Sequence, residues 1–350
     1  MDRQRVYEFR MRIAVDAAAA VAGLSTSIGG RLGLYVAMAG AGPLTSAELA
    51  TKTELNERYV REWLSAQVAG EYVDFDPDTD TYVLPDENAA VLADPSSPMY
   101  AIGSFFMAKA LYATEDALVE AFRTGEGIGW EQHEPALFEG TASFFRPGYA
   151  AALVPEWLPA LPGVVEKLER GAKVADVGCG HGHSTMLMAK AFPNSTFSGY
   201  DFHAPSIEAA RKLAAEQGVG DRVTFEVARA EDFPGGDYDL ITFFDCLHDL
   251  GDPEGALRRA EQTLAQDGTC MIVEPNASPN ALDNRNPVGR SFAASSGVLC
   301  LPAALAQHGP QALGNHAGEA ATRALAERAG LHDWQLALMG MANLIYAVKR

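Results

Sequence analysis

From Lys173 onward the chain alternates short apolar runs with longer amphipathic stretches. Residues 173–177, 197–201, 223–228, 238–244 and 269–274 read as buried strands, and 184–192, 205–216 and 253–265 as helices set among them. That order predicts a parallel sheet with helices on both faces. A helix over 318–329 and two further strands, 334–339 and 343–348, follow. Residues 276–315 are too long for a plain loop and lack strong periodicity, the character of an insertion that covers a substrate.

The N-terminal part has a different texture. Residues 11–24 have an apolar helical face rich in small residues, and 31–38 continue as helix. Thr45 or Ser46 can cap a short helix with Glu48 in its first turn. A second helix covers 57–69, with Val60, Leu64 and Val68 on one face. A hairpin over 72–84, turning at 77–80, comes next. Helix, helix, hairpin is the pattern of a winged helix-turn-helix. Residues 99–161 are helical and aromatic, including Phe105, Phe145, Tyr149 and Trp157. Most of these rings suit core packing, while Tyr149 and Phe145, four apart, are placed to line a site.

Charge and composition then narrow the function. The 350 residues carry a net charge of −19, and residues 1–165 hold about twelve more acids than bases. The wing presents Asp74, Asp76, Asp78 and Asp80 where a DNA-binding protein needs cations for phosphates. Nucleic acid and anionic membrane are therefore not expected partners. No run approaches the roughly 18 uninterrupted apolar residues of a membrane span. Four cysteines without Cys-x-x-Cys spacing read as reduced thiols, and the expectation is a soluble, cytoplasmic protein.

Candidate chemistry clusters at the strand ends. Gly178-Cys179-Gly180-His181-Gly182 joins the first strand to its helix, a turn in which backbone can approach a ligand closely. Its Gly-x-Gly-x-Gly spacing departs from the Gly-x-Gly-x-x-Gly of dinucleotide sites. Asp176, two places before the first glycine, would repel a pyrophosphate but suit a cofactor with an ammonium or sulfonium end. Asp201, 25 positions later at the end of the next strand, is placed to accept ribose hydroxyls, with Phe202 beside it. Asp232 and Phe233 follow the third strand, and Asp245, Cys246 and His248 follow the fourth.

These clusters, together with Tyr59-Val60-Arg61-Glu62-Trp63-Leu64 and Phe144-Phe145-Arg146-Pro147-Gly148-Tyr149, resemble class I S-adenosylmethionine-dependent methyltransferases of bacterial type that carry an N-terminal winged helix, some labelled transcriptional regulators. The resemblance implies an α/β Rossmann-like domain, its parallel sheet ending in an antiparallel hairpin, behind an α-helical winged-helix domain. Expected boundaries are 1–98 for a winged-helix and dimerisation domain, 99–165 for a helical connector and lid, and 166–350 for the methyltransferase domain. The implied reaction moves a methyl group from S-adenosyl-L-methionine to a small-molecule acceptor, O- or N-methylation being favoured, in a homodimer. Asp176 and the backbone of Gly178, Cys179 and Gly180 would hold the methionine end, Asp201 the ribose, and Asp232 and Phe233 the adenine, with Phe202 and Tyr149 as further cofactor contacts. Asp245 and His248 would lie nearest the methyl.

His248 followed by Asp249 also resembles the His-Asp-Trp stretch of plant-type O-methyltransferases, with Leu250 in place of the tryptophan. A neutral imidazole oriented by Asp249 would take the acceptor's proton; otherwise His248 only shapes the pocket. No ligand spacing requires a metal. Non-methylating use of the same cofactor, such as cyclisation, and a ligand-sensing regulator are the rival readings.

Overall fold

The computed structural model describes all 350 residues, Met1–Arg350, as two compact units. The first comprises Met1–Ala113 and Glu134–Gly148, the second Thr114–His133 and Tyr149–Arg350. The helical stretch expected to form a connector is thus shared between them.

In the first unit the winged-helix pattern forms as its caps dictate. Thr45 caps helix Ser46–Thr53, accepting from the Glu48 N–H while the Glu48 carboxylate accepts from Thr45 N–H. Asn56 caps helix Glu57–Ala69. Strands β1 (Asp74–Asp76) and β2 (Thr81–Val83) make the antiparallel wing. Tyr35, Leu49, Leu64 and Ile102 pack at zero exposure in its core. Polar groups inside are paired: Tyr35 donates to Gln67 at 2.6 Å, and the Trp63 indole donates to the Ser25 carbonyl at 3.1 Å.

Helix Arg3–Arg31 begins much earlier than the periodicity suggests, because Asp2 caps it by accepting from the Gln4 and Arg5 N–H groups. Only its end is buried, at Thr26, Ser27 and Gly29. Val6, Tyr7, Phe9, Met11, Ile13, Val15 and Val21 are all exposed. This helix and Pro287–Ala306 are long and apolar enough, by length and composition, to cross a membrane. Neither is an uninterrupted apolar run, since Asp16 breaks the first and Arg290 and Ser295 the second.

The second unit holds a seven-stranded sheet: β3 (Lys173–Val177), β4 (Thr196–Asp201), β5 (Val223–Val227), β6 (Tyr238–Phe244), β7 (Leu264–Pro275), β8 (Asp333–Met339) and β9 (Asn343–Lys349). Their order across the sheet is β5-β4-β3-β6-β7-β9-β8. The first five strands run parallel, and β9 pairs antiparallel with both β7 and β8. Order reverses beside β3, so the carboxyl ends of β3 and β6 flank the crevice where such sheets take ligands. One boundary moves: β7 starts at Leu264, five residues early. Leu264 turns extended after helix Pro253–Thr263 and pairs with Tyr238, with a register shift before Leu240 pairs with Thr269. The expected cover, 276–315, contains helices Pro287–Ser295 and Leu301–Ala306 joined by a π-helical turn, Ser296–Cys300.

Gly29 marks where the exposed helix meets the winged core, since an added Cβ there would lie 2.5 Å from the Trp63 ring. Gly29→Ala should therefore cost about 1–3 kcal/mol despite alanine's better helix propensity. Denaturant unfolding followed by tryptophan fluorescence checks this; an unchanged midpoint would mean that the ring moves aside freely.

Candidate active site

The glycine turn follows β3 because three residues there adopt left-handed backbone: Gly178, Gly180 and Gly182, with φ of 73°, 50° and 75°. Space demands glycine at two of them. A Cβ on Gly178 would meet Cys246 Sγ at 2.6 Å, and one on Gly182 would meet the Phe225 ring at 2.6 Å. Gly180 is the opposite case, with nothing within 4 Å of an added Cβ. The turn thus packs against β6's exit on one side and opens to free space at Gly180.

Its hydrogen bonds decide what it can hold. The N–H groups of Gly178 and Cys179 both donate to the Tyr200 carbonyl, and the Gly180 N–H donates to Asp201 at 2.9 Å. These donors are spent within the protein, so the turn offers carbonyl oxygen to a ligand. Carbonyls suit an ammonium group and do little for a phosphate. Asp201 also accepts from the His203 N–H at 2.9 Å. Two of the roughly four lone-pair sites of its carboxylate remain, enough for a pair of ribose hydroxyls.

Beside Asp201 lies a cavity of about 410 Å³ lined by Phe202, Val227, Ala228, Arg229, Asp232 and Pro234. Phe202 and Asp232, both expected at the cofactor, are among its lining residues. Phe233 does not: it has no exposed surface, its ring packs against Tyr200 and Tyr238, and the Arg259 guanidinium lies over it. It belongs to the core.

Asp176 is a second correction. Its carboxylate is fully buried and accepts from the Ser184, Thr185 and Thr242 hydroxyls at 2.7, 2.5 and 3.0 Å. Three hydroxyl bonds inside the fold leave it no face towards a ligand, and it fixes the turn from beneath instead.

Asp245 supplies a half-buried carboxyl. Left-handed at φ 49°, it turns out of β6 and accepts from Tyr149 Oη at 2.8 Å and Asn343 Nδ2 at 2.7 Å. Tyr149 is held edge-on by Trp157 and packs on Phe244. Burial, and after it the charge of Glu274, push the Asp245 carboxyl up to about 7 despite the two donors.

His248 is buried with both ring nitrogens beside carboxylates: Nδ1 lies 2.7 Å from Glu274 and Nε2 3.2 Å from Asp249. Burial opposes charge on the ring, but Glu274 and then Asp249 outweigh it and raise its pKa well above the ordinary value. Both carboxylates thus favour the protonated ring over the neutral imidazole expected from the sequence. The orienting partner on Nδ1 is Glu274, not Asp249. Glu274 and Asn343 went unread in the sequence. Glu274 left one signal, an acid closing the apolar run 270–273; Asn343 left none.

Comparison with known proteins accords with this geometry. Residues 19–94 match the Rv2258c-like winged HTH domain, and residues 168–314 match a family described as methyltransferase domain. The chain couples a winged helix to a methyltransferase domain. Among relatives, ajmaline N-methyltransferase of Rauvolfia serpentina is 29% identical over 45% of this chain and 57% of its own. A ubiquinone biosynthesis O-methyltransferase of Bordetella avium is 29% identical over 40% of this chain and 56% of its own. The chain thus spans just over half the length of these curated relatives. Solved structures are similar over the whole length. A putative O-methyltransferase from Nostoc punctiforme gives a TM-score of 0.68 at 23% identity, covering 98% of each chain. Human N-acetylserotonin methyltransferase, in complex with S-adenosylmethionine, gives 0.68 at 18% identity, covering 97% of each.

The raised Asp245 carboxyl fixes a pH dependence. The folded state binds this proton more tightly than the unfolded chain, whose carboxyl titrates near 3.8. Between those values the folded state holds more protons, so stability falls as pH rises through 7. From pH 5 to pH 8 the wild type should lose on the order of 2 kcal/mol relative to Asp245→Asn. Urea unfolding of both proteins at the two pH values checks this, and parallel curves would place the titration elsewhere.

Proposed function

We propose that the protein is an S-adenosylmethionine-dependent methyltransferase acting on a small-molecule acceptor, with oxygen the favoured nucleophile. The observation that carries this is the turn whose N–H groups are spent while Gly180 faces open space, flanked by Asp201 and Asp245. That arrangement suits a nucleoside with a cationic amino-acid end. S-adenosylmethionine would supply a methyl carbon already activated on a sulfonium.

What remains for the chain is positioning. Asp201 takes the ribose hydroxyls, and Phe202 and Asp232 border the adenine in the cavity beyond. Gly178, Cys179 and Gly180 present carbonyls to the ammonium. Asp245, steadied by Tyr149 and Asn343, faces the cationic end, where a positive charge would favour its ionised form. His248 is a positioning residue in this reading, locking the Leu247–Asp249 turn to β7 through Glu274. An acceptor that arrives ionised, such as a phenolate or carboxylate, has no proton to lose and needs only to be held in line and dry, which accounts for much of the rate.

The first unit pairs two chains in this reading, through the apolar face of helix Arg3–Arg31. That face is too large and continuous to suit solvent. Nucleic acid is a poor fit as a partner. Arg58 and Arg61, the cations of the second winged helix, are each paired with a carboxylate on their own helix, Glu62 and Glu57.

Asp201→Ala should raise the dissociation constant for S-adenosylmethionine about tenfold to a hundredfold, from lost charge-assisted hydrogen bonds worth roughly 1.5–3 kcal/mol. Calorimetry would show it, and wild-type preference for NADH would remove the whole reading. Light scattering at micromolar concentration should give twice the chain mass of 37.3 kDa. A monomer would assign the apolar helix another role.

A further inference from the structure

The segment expected to cover the acceptor, 276–315, is not tied down evenly. Helix Pro287–Ser295 is mostly exposed and buries only Gly289, whereas helix Leu301–Ala306 buries Pro302, Ala303 and Ala304. The difference lies in Gln307, the residue that ends the second helix. Its Nε2 donates to the Asp249 carbonyl at 2.7 Å and to the Ala303 carbonyl at 3.1 Å, while its Oε1 accepts from the Gly251 N–H at 3.1 Å. The amide's two N–H donors and its oxygen all find backbone partners. Two of those partners belong to the chain that leaves the Leu247–Asp249 turn, where His248 sits.

The close approach needs backbone without side chains. A Cβ on Gly309 would lie 2.0 Å from the Gly251 carbonyl oxygen, and one on Gly251 would lie 2.7 Å from Gln307 Cβ. Neither glycine has a left-handed φ, so space alone demands it. His308, between Gln307 and Gly309, does take the left-handed region, at φ 52°, where a residue with a Cβ is strained. The chain turns there, and the Gln311 N–H reaches the Gly251 carbonyl at 3.1 Å. On the other side of the helix, Ile128 N–H donates to the Pro302 carbonyl at 3.0 Å. Cys300, just before the helix, is within hydrogen-bonding reach of His248 and Asp249.

We propose that Gln307 is a positioning residue: its amide fixes the backbone after His248, and with it the His248 turn, against the segment that covers the acceptor. An acceptor seated under that segment then meets a turn already in place, so the chain loses little order on binding it. The purpose of the clamp rests on the methyl-transfer reading, but the clamp itself is measured without any acceptor.

The test uses the full chain. Gln307→Met keeps the side chain's length and removes its donors and its oxygen. Amide exchange, read by mass spectrometry, should quicken about tenfold or more over 248–252 and 303–311, while β3 and β6 keep their wild-type rates. The proton between His248 Nδ1 and Glu274, a downfield resonance identified by its absence from His248→Asn, should shift or broaden. Gln307→Glu supplies a rescue. The introduced carboxylate, when ionised, has no donor for the Asp249 carbonyl; when protonated, it regains one. Protection over 248–252, compared with wild type at each pH, should therefore return as pH falls in Gln307→Glu and not in Gln307→Met. Calorimetry keeps the two readings apart. Gln307→Met should bind S-adenosylmethionine within about threefold of wild type, since the cofactor residues lie elsewhere; a wild type that binds none would remove the methyl-transfer reading and the clamp's purpose with it. Wild-type exchange in Gln307→Met, loosening spread over the whole sheet, an unmoved His248 resonance or no acid rescue of Gln307→Glu would overturn the proposal.

Discussion

A single buried carboxylate organises the methyltransferase domain. Asp176 has no solvent and no cation beside it, yet three hydroxyls donate to it: Ser184 and Thr185 from the helix after the glycine turn, and Thr242 from β6. Register makes this possible, because Asp176 and Thr242 are paired partners across β3 and β6. Burial raises the Asp176 pKa while the three donors work against that rise. The result clamps strand, turn and helix together at the point where the sheet's order reverses. Gly180 and Asp245 both follow directly on elements that this clamp holds.

Above it the site sorts its polar groups by what they still have to give. The glycine turn has spent the N–H groups of Gly178, Cys179 and Gly180 on Tyr200 and Asp201, which leaves these residues carbonyl oxygen to offer. Asp201 keeps lone pairs in reserve. Asp245 is held near the balance between acid and carboxylate, so a cation beside it shifts its charge with little rearrangement. His248 stands apart, saturated by carboxylates on both nitrogens.

The winged-helix unit was legible in detail because its signals are local. Thr45 and Glu48, Asn56 and the 77–80 turn each act within a few residues, and the helix Glu57–Ala69 falls where its caps put it. The sheet was legible for a related reason, since buried parallel strands read as apolar runs. What escaped are contacts between residues far apart in the chain. Tyr149 meets Asp245 across 96 positions, and His248 meets Glu274 across 26. Direction was equally hidden. β3 is buried on both faces from Val174 to Val177, so nothing in its pattern says that Asp176 points inward. Phe233 misled in the same way, since its neighbour Asp232 borders the cavity while its own ring turns into the core.

The hydrogen bond from Asn343 to Asp245 also sets an order of events during synthesis. Asn343 opens β9, which inserts between β7 and β8, and it follows Asp245 by 98 residues. While the chain is being made, β3 to β7 can pair among themselves and close the glycine turn around Asp176. Asp245 must wait with one oxygen unanswered until β9 arrives. A nascent chain paused before Asn343 would hold a nearly complete sheet with an unfinished centre. Asp245 then gains its second donor only once β9 has joined the sheet.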